Sequence, residues 1–106
     1  MLIQQRPEQG TIIAVKLISG DEIVGKIERI NATELVVSKP IAIGISAQGV
    51  GFAPFMVSAD DDISLTFNLA QVITYTQARK EIKDAYIQSI SGITPAGSLP
   101  EGLIST

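Results

Sequence analysis

Residues 12–39, IIAVKLISGDEIVGKIERINATELVVSK, constrain the fold more tightly than any other part of the chain. Apolar side chains alternate through them with a period of two, as strands with one buried face require. Ile13, Val15 and Leu17 share a face, with Ala14, Lys16 and Ile18 on the other. Ser19-Gly20-Asp21 is a turn, because glycine tolerates positive φ while serine and aspartate bond the local backbone. Ile23, Gly25 and Ile27 resume the inward face and leave Glu22, Val24, Lys26 and Glu28 outward. Asn31-Ala32-Thr33-Glu34 makes a second turn, after which Leu35 and Val37 alternate with Val36 and Ser38. The reading is a meander of three antiparallel strands. Glycine in mid-strand weakens it, so Gly25 marks a sharp bend or a close backbone approach. A strongly bent meander curls a short sheet toward a small barrel.

The rest of the chain extends this pattern. Residues 1–10 read as an irregular lead-in, since Pro7 and Gly10 oppose a helix. Pro40 cannot donate a ladder hydrogen bond, which places it at an edge or a bulge. Ile41, Ile43 and Ile45 alternate with small residues, so the strand resumes there. Residues 46–51 read as a flexible turn region, 52–57 as an apolar edge segment around Pro54, and 58–62 as a polar loop. Three consecutive carboxylates at 60–62 are the right chemistry for a hard cation. Neighbouring side chains on extended backbone diverge, however, and the spaced pattern of a calcium loop is missing, so a solvated turn is the simpler reading.

Ile63, Leu65 and Phe67 point inward from a further strand, Leu69-Ala70-Gln71 connects, and Val72-Ile73-Thr74-Tyr75-Thr76 is a β-branched final strand. From residue 77 to 91 the period becomes helical, with Ala78, Ile82, Ala85, Tyr86 and Ile90 on one stripe and Ile87 outside it. Glu81 is spaced to pair with Arg79 or Lys83. Residues 92–106, rich in Gly, Pro and Ser, read as a tail that is mobile or docks only on a partner.

At 106 residues the chain makes one small domain. Eleven acids against eight bases, a net charge of −3, weigh against a strong nucleic-acid binder, whose affinity comes mainly from phosphate neutralisation. Neither His nor Cys is present, so nucleophile–base pairs built on them, thiolate metal sites and disulfides are excluded. Glu22, Glu28 and Glu34 are spread over turns and outward faces, with nothing to aim two of them at one cleft. No phosphate-cradling glycine loop occurs. The reading is of a protein that is not an enzyme and takes no cofactor or metal. No run reaches transmembrane length, and the first residues lack a signal peptide's apolar core, so the expected setting is cytoplasmic.

Leu17, Gly20, Ile23, Gly25, Ile27 and Asn31 stand in the register of the first motif of the Sm-like (LSm) family, which this stretch resembles. The resemblance covers residues 11–76, and the long linker and C-terminal helix look like those of Sm-like proteins of marine phages. The fold it implies is all-β: a strongly bent five-stranded antiparallel sheet or small barrel at 11–76, here followed by a C-terminal α-helix at 77–91. The chain departs from the family in two places. Its start does not read as the usual helix, and Asn68-Leu69 stands where the second motif carries Arg-Gly.

The family forms rings in which the fourth strand of one subunit pairs with the fifth of the next. Carried over, that implies a homo-oligomer of about five to seven subunits, with Ile63, Leu65, Phe67, Val72, Ile73 and Tyr75 at the interface. The family also binds single-stranded U- or A-rich RNA around the pore, which implies contacts from Asn31, Thr33, Lys39 and Asn68. The stacking residue is missing, and Glu34 falls where a base-reading Asn would sit. A second reading therefore stands beside the first: a scaffold that keeps the ring, has lost the RNA site and captures proteins through the helix and tail. Arg79, Lys80 and Lys83 either touch phosphate or simply keep a surface helix soluble.

Overall fold

A computed structural model describes residues 7–60 and 62–91. Most of the lead-in, and the whole of the tail expected at 92–106, lie outside the described residues. The elements run β1 (Ile12–Leu17), β2 (Glu22–Ile30), β3 (Glu34–Ser46), β4 (Gly49–Pro54), β5 (Ser64–Asn68), a 3-10 turn (Leu69–Gln71), β6 (Val72–Gln77) and α1 (Lys80–Ser91). The architecture is all-β with a C-terminal helix. All strand pairings are antiparallel, along the path β4-β3-β2-β1-β6, and β5 also pairs with β3. The sheet does not close on itself.

The meander forms where alternation and turn chemistry place it. At the β1–β2 turn Gly20 sits at φ +98°, and Ser19 Oγ both donates to Asp21 Oδ2 (2.8 Å) and accepts from the Asp21 N–H (3.3 Å). One face of the sheet buries Ile13, Val15, Leu17, Ile23, Ile27, Leu35, Val37 and Phe67. The other face is buried in part, with Lys16, Glu22, Lys26 and Glu28 left exposed. Val24, outward by alternation, is fully enclosed with Ile12 beneath Ala78 and Tyr86, because the apolar stripe of α1 lies across it. Within the helix the ion pair is Lys80 Nζ with Asp84 Oδ2 at 2.9 Å, rather than one made by Glu81.

Two features differ from the sequence reading. The described sheet has six strands, not five. Residues 46–51, glycine-rich and poor in strand propensity, turn at Ala47–Gln48, and β4 returns along β3 with Ile45 opposite Val50, Ile43 opposite Phe52 and Ile41 opposite Pro54. Pairing to an already extended partner overrides weak local propensity. The second difference is in β6. The register on β1 slips between Lys16 and Leu17, so Lys16 faces Thr74 while Leu17 faces Val72. Ile73 is the extra residue of this bulge and stands 61% exposed, not inward as strict alternation requires.

The bend of the sheet is built from Gly25, Lys39 and Pro40. The β2–β3 register shifts between Val24 and Lys26, opposite a left-handed Lys39 (φ +48°) and the donor-free Pro40. A Cβ on Gly25 would overlap Val37 Cγ1 and crowd Ser38 O (3.2 Å) and Pro40 Cα (3.3 Å). The broken ladder is repaired by Tyr86, fully buried on α1. Its hydroxyl shares its proton between Ser38 O (3.0 Å) and Lys39 O (2.8 Å). Beyond the bend β3 changes partner: residues 34–38 pair with β5 and residues 41–46 with β4.

Two outcomes follow. Gly25→Ala should lower stability by about 1–3 kcal/mol in urea melts, because the added methyl forces buried Val37 and the β3 backbone apart. Tyr86→Phe should lower it by about 1–3 kcal/mol, since buried carbonyls lose their donor. Burial raises the Tyr86 pKa to about 12 from 10.0. A raised pKa makes its contribution complete below pH 10 and lost as pH climbs through about 12. The stability difference between wild type and Tyr86→Phe should therefore shrink over that window, and a constant difference would argue against the buried phenol.

Candidate functional site

Two turns that are remote in sequence meet at one end of the sheet. The β2–β3 turn is closed by an Asn31 N–H to Glu34 O hydrogen bond of 3.0 Å. Asn31 Oδ1 accepts from the Thr33 and Glu34 N–H groups, both at 2.9 Å, and from Thr33 Oγ1 at 3.3 Å. This is the local bonding that makes asparagine a turn residue. Across the β3–β5 pair Glu34 stands opposite Asn68. Asn68 caps the 3-10 turn, its Oδ1 accepting from the Ala70 N–H at 2.9 Å. The Leu69 N–H donates to Thr33 O at 2.9 Å and binds the two turns together. At the far end of the same turn the Ile18 N–H bonds Gln71 O, also at 2.9 Å.

Asn31, Thr33 and Asn68 are thus brought into one exposed patch. Both asparagine carbonyl oxygens are taken up by backbone donors, and the amide N–H₂ groups have no protein partner among the described residues. The patch therefore offers hydrogen-bond donors outward, fit for phosphate, carbonyl or carboxylate oxygens. Glu34 borders it as an acceptor. Arg29, which the sequence reading did not single out, lies 4.0 Å from Glu34 Oε1 in an exposed pair. Its position two residues before the Asn31 turn was the available signal.

Lys39 does not join this patch. It lies five positions along β3 from Glu34, about 16 Å at strand rise. There it faces Asp62 at 3.9 Å. The left-handed backbone of the bend carries it to the far side of β5 and into the wall of a cavity.

The proposed interface residues divide in the same way. Phe67 is buried in its own chain's core, 5.6 Å from the Phe55 ring. Leu65, Val72 and Tyr75 are partly buried against that core, Ile63 is half-buried, and Ile73 is exposed. The outer edges of β5 and β6 have no strand partner among the described residues. Lys39 N–H bonds Ile63 O and Leu69 N–H bonds Thr33 O, so odd-numbered residues of this segment bond β3. By the alternation of an antiparallel ladder, Ser64, Thr66 and Asn68 direct their backbone groups outward.

The loop before β5 turns through an Ala59 N–H to Met56 O hydrogen bond of 3.1 Å. Asp60 and Asp62 are exposed on it, and among the described residues no three acidic side chains are grouped to hold a metal ion. No described helix is long and apolar enough to cross a membrane. No protein-family model matches the chain, and no curated protein matches it.

The turn junction carries its own stability test. Asn31→Ala and Asn68→Ala should each lower stability by about 1 kcal/mol. Their effects should be non-additive in a double-mutant cycle, because the Leu69–Thr33 hydrogen bond couples the two turns.

Proposed function

We propose that this chain is an Sm-like, ring-forming, non-enzymatic protein of the cytoplasm that presents the Asn31–Thr33–Asn68 patch to single-stranded RNA. The observation that carries the reading is the juncture of the two turns. The resemblance assigns RNA contacts to these same two turns, and the Leu69–Thr33 hydrogen bond holds them side by side. Outward-facing amide donors and a hydroxyl are suited to nucleotide phosphates and base carbonyls. Ring closure is supported by the outer edges of β5 and β6, which are unpaired among the described residues. β5 and β6 are the strands that the resemblance joins between neighbours, and an open strand edge calls for a partner.

A second reading is favoured by a specific observation. Glu34 lies within the patch, and the two asparagine oxygens are already engaged in the turns. A carboxylate at that place repels phosphate, which favours a ring scaffold with protein partners over an RNA-binding ring.

Assembly and binding are tested separately. Thr66→Pro removes an outward N–H from β5 while leaving its bonds to β3 in place. Light scattering should give a multiple of 11.2 kDa for the wild type and the single-chain mass for Thr66→Pro. Phe67→Asp is unsuited to this test, because it would unfold the subunit itself. For RNA, fluorescence anisotropy with U-rich and A-rich oligonucleotides should show saturable binding that weakens with salt. Glu34→Gln should tighten it several-fold by removing a like charge. Absence of binding at low salt for both proteins would leave the scaffold reading.

A further inference from the structure

A cavity of about 490 Å³ opens on the side of the bend away from the Asn patch. That is the size range of ordinary ligand pockets, roughly 300–1,000 Å³. Its walls are about equally polar and apolar, and the apolar part comes from Ile41 and Phe52 of the β3–β4 hairpin, Phe55 of the following loop, Ile63, Leu65, and Ile90 of α1. Asp60, Asp62 and Lys39 contribute the charged part of the lining, with Lys39 engaged by Asp62. The cavity exists because β3 changes partner at Lys39–Pro40. β5 ends its pairing at Ser38 and β4 at Ile41, and the loop between them arches over the gap.

We propose that this cavity receives the chain's own residues 93–100. Three observations carry the assignment. Ser89 and Ile90, in the last turn of α1, belong to the cavity wall, so the chain leaves the helix at the cavity itself. Residues 91–100, SGITPAGSLP, contain no charged side chain and carry Ile93, Pro95, Leu99 and Pro100. They can enter beside Asp60 and Asp62 without repulsion, whereas Glu101, the first charge after them, is repelled there. Finally, reach and chemistry agree. Eight extended residues span about 26 Å, and the two prolines favour an extended segment with few N–H groups to desolvate. A direct tether raises the effective concentration to the millimolar range, so a weak apolar contact is enough. The proposal is independent of RNA binding and of ring formation. It makes the cavity an internal docking site whose occupant a partner must displace.

The chain has no cysteine, so Ser98→Cys in the full chain gives a single attachment point for a nitroxide label. In the ¹⁵N-labelled protein, the amide signals of Phe52, Phe55 and Ile63 should lose most of their intensity, while those of the Ser19–Asp21 turn remain. Adding Ile93→Asp to the same chain should restore the lost signals. In a mixture of spin-labelled ¹⁴N chains with unlabelled ¹⁵N chains, the cavity signals should stay intact. Full intensity at the cavity in the labelled chain would overturn the proposal, as would loss unaffected by Ile93→Asp. Equal loss in the mixture would also overturn it, since the occupant would then come from a second copy.

Discussion

The Tyr86 hydroxyl, set into the gap in the β2–β3 ladder, is the interaction on which the rest of the structure depends. A strand that bends at a left-handed residue followed by proline must lose hydrogen bonds at the bend. Buried, those unpaired groups would be strongly unfavourable. The phenol supplies a donor to Ser38 O and Lys39 O, and it does so from a helix formed far along the chain. The same contact fixes where α1 lies. With Tyr86 anchored, Ile41, Ile43, Ile82 and Ile90 pack around the buried cluster of Ile12, Val24, Ala78 and Tyr86, and this part of the outer face is covered. Gly25 is the complementary half of the arrangement, since only a residue without Cβ leaves room for Val37 and Pro40.

Bending β3 has consequences for every candidate surface. One straight partner could have run the full length of its outer edge. Instead β5 takes the first half and β4 the second. The first half ends at the turn junction with its amide donors. The division between the halves is the cavity. The edges left open at β5 and β6 are those of short strands flanking a single 3-10 turn; β6 ends the sheet path, and β5 lies off it against the first half of β3. The turn junction and the cavity are therefore both set by one backbone irregularity.

Much of this was legible in the chain. Period-two alternation located β1, β2, the first half of β3, β5 and β6, and the change to helical period located α1, because these patterns report one-sided burial directly. The turn chemistry of Ser19-Gly20-Asp21 and Asn31–Glu34 was equally readable. β4 was not, because Gly49 and Gly51 have no intrinsic preference for a strand and extend only against β3. The exposure of Ile73 was not legible, because a bulge changes side-chain phase without leaving a mark in composition. Lys39 was placed with the asparagines because a left-handed non-glycine residue is not foreseeable from sequence.

An all-β meander with a mid-strand glycine, a C-terminal helix, and the absence of His and Cys chemistry are written into the chain directly. Each of these depends on residue identity or local spacing alone. That Asn31 and Asn68 share a patch, that Lys39 belongs to a cavity wall, and that Phe67 serves its own core emerge only on folding. The physical reason is that these outcomes depend on register between strands up to dozens of residues apart. That register was settled by the bend at Gly25 and Pro40 and by the helix tyrosine that completes it.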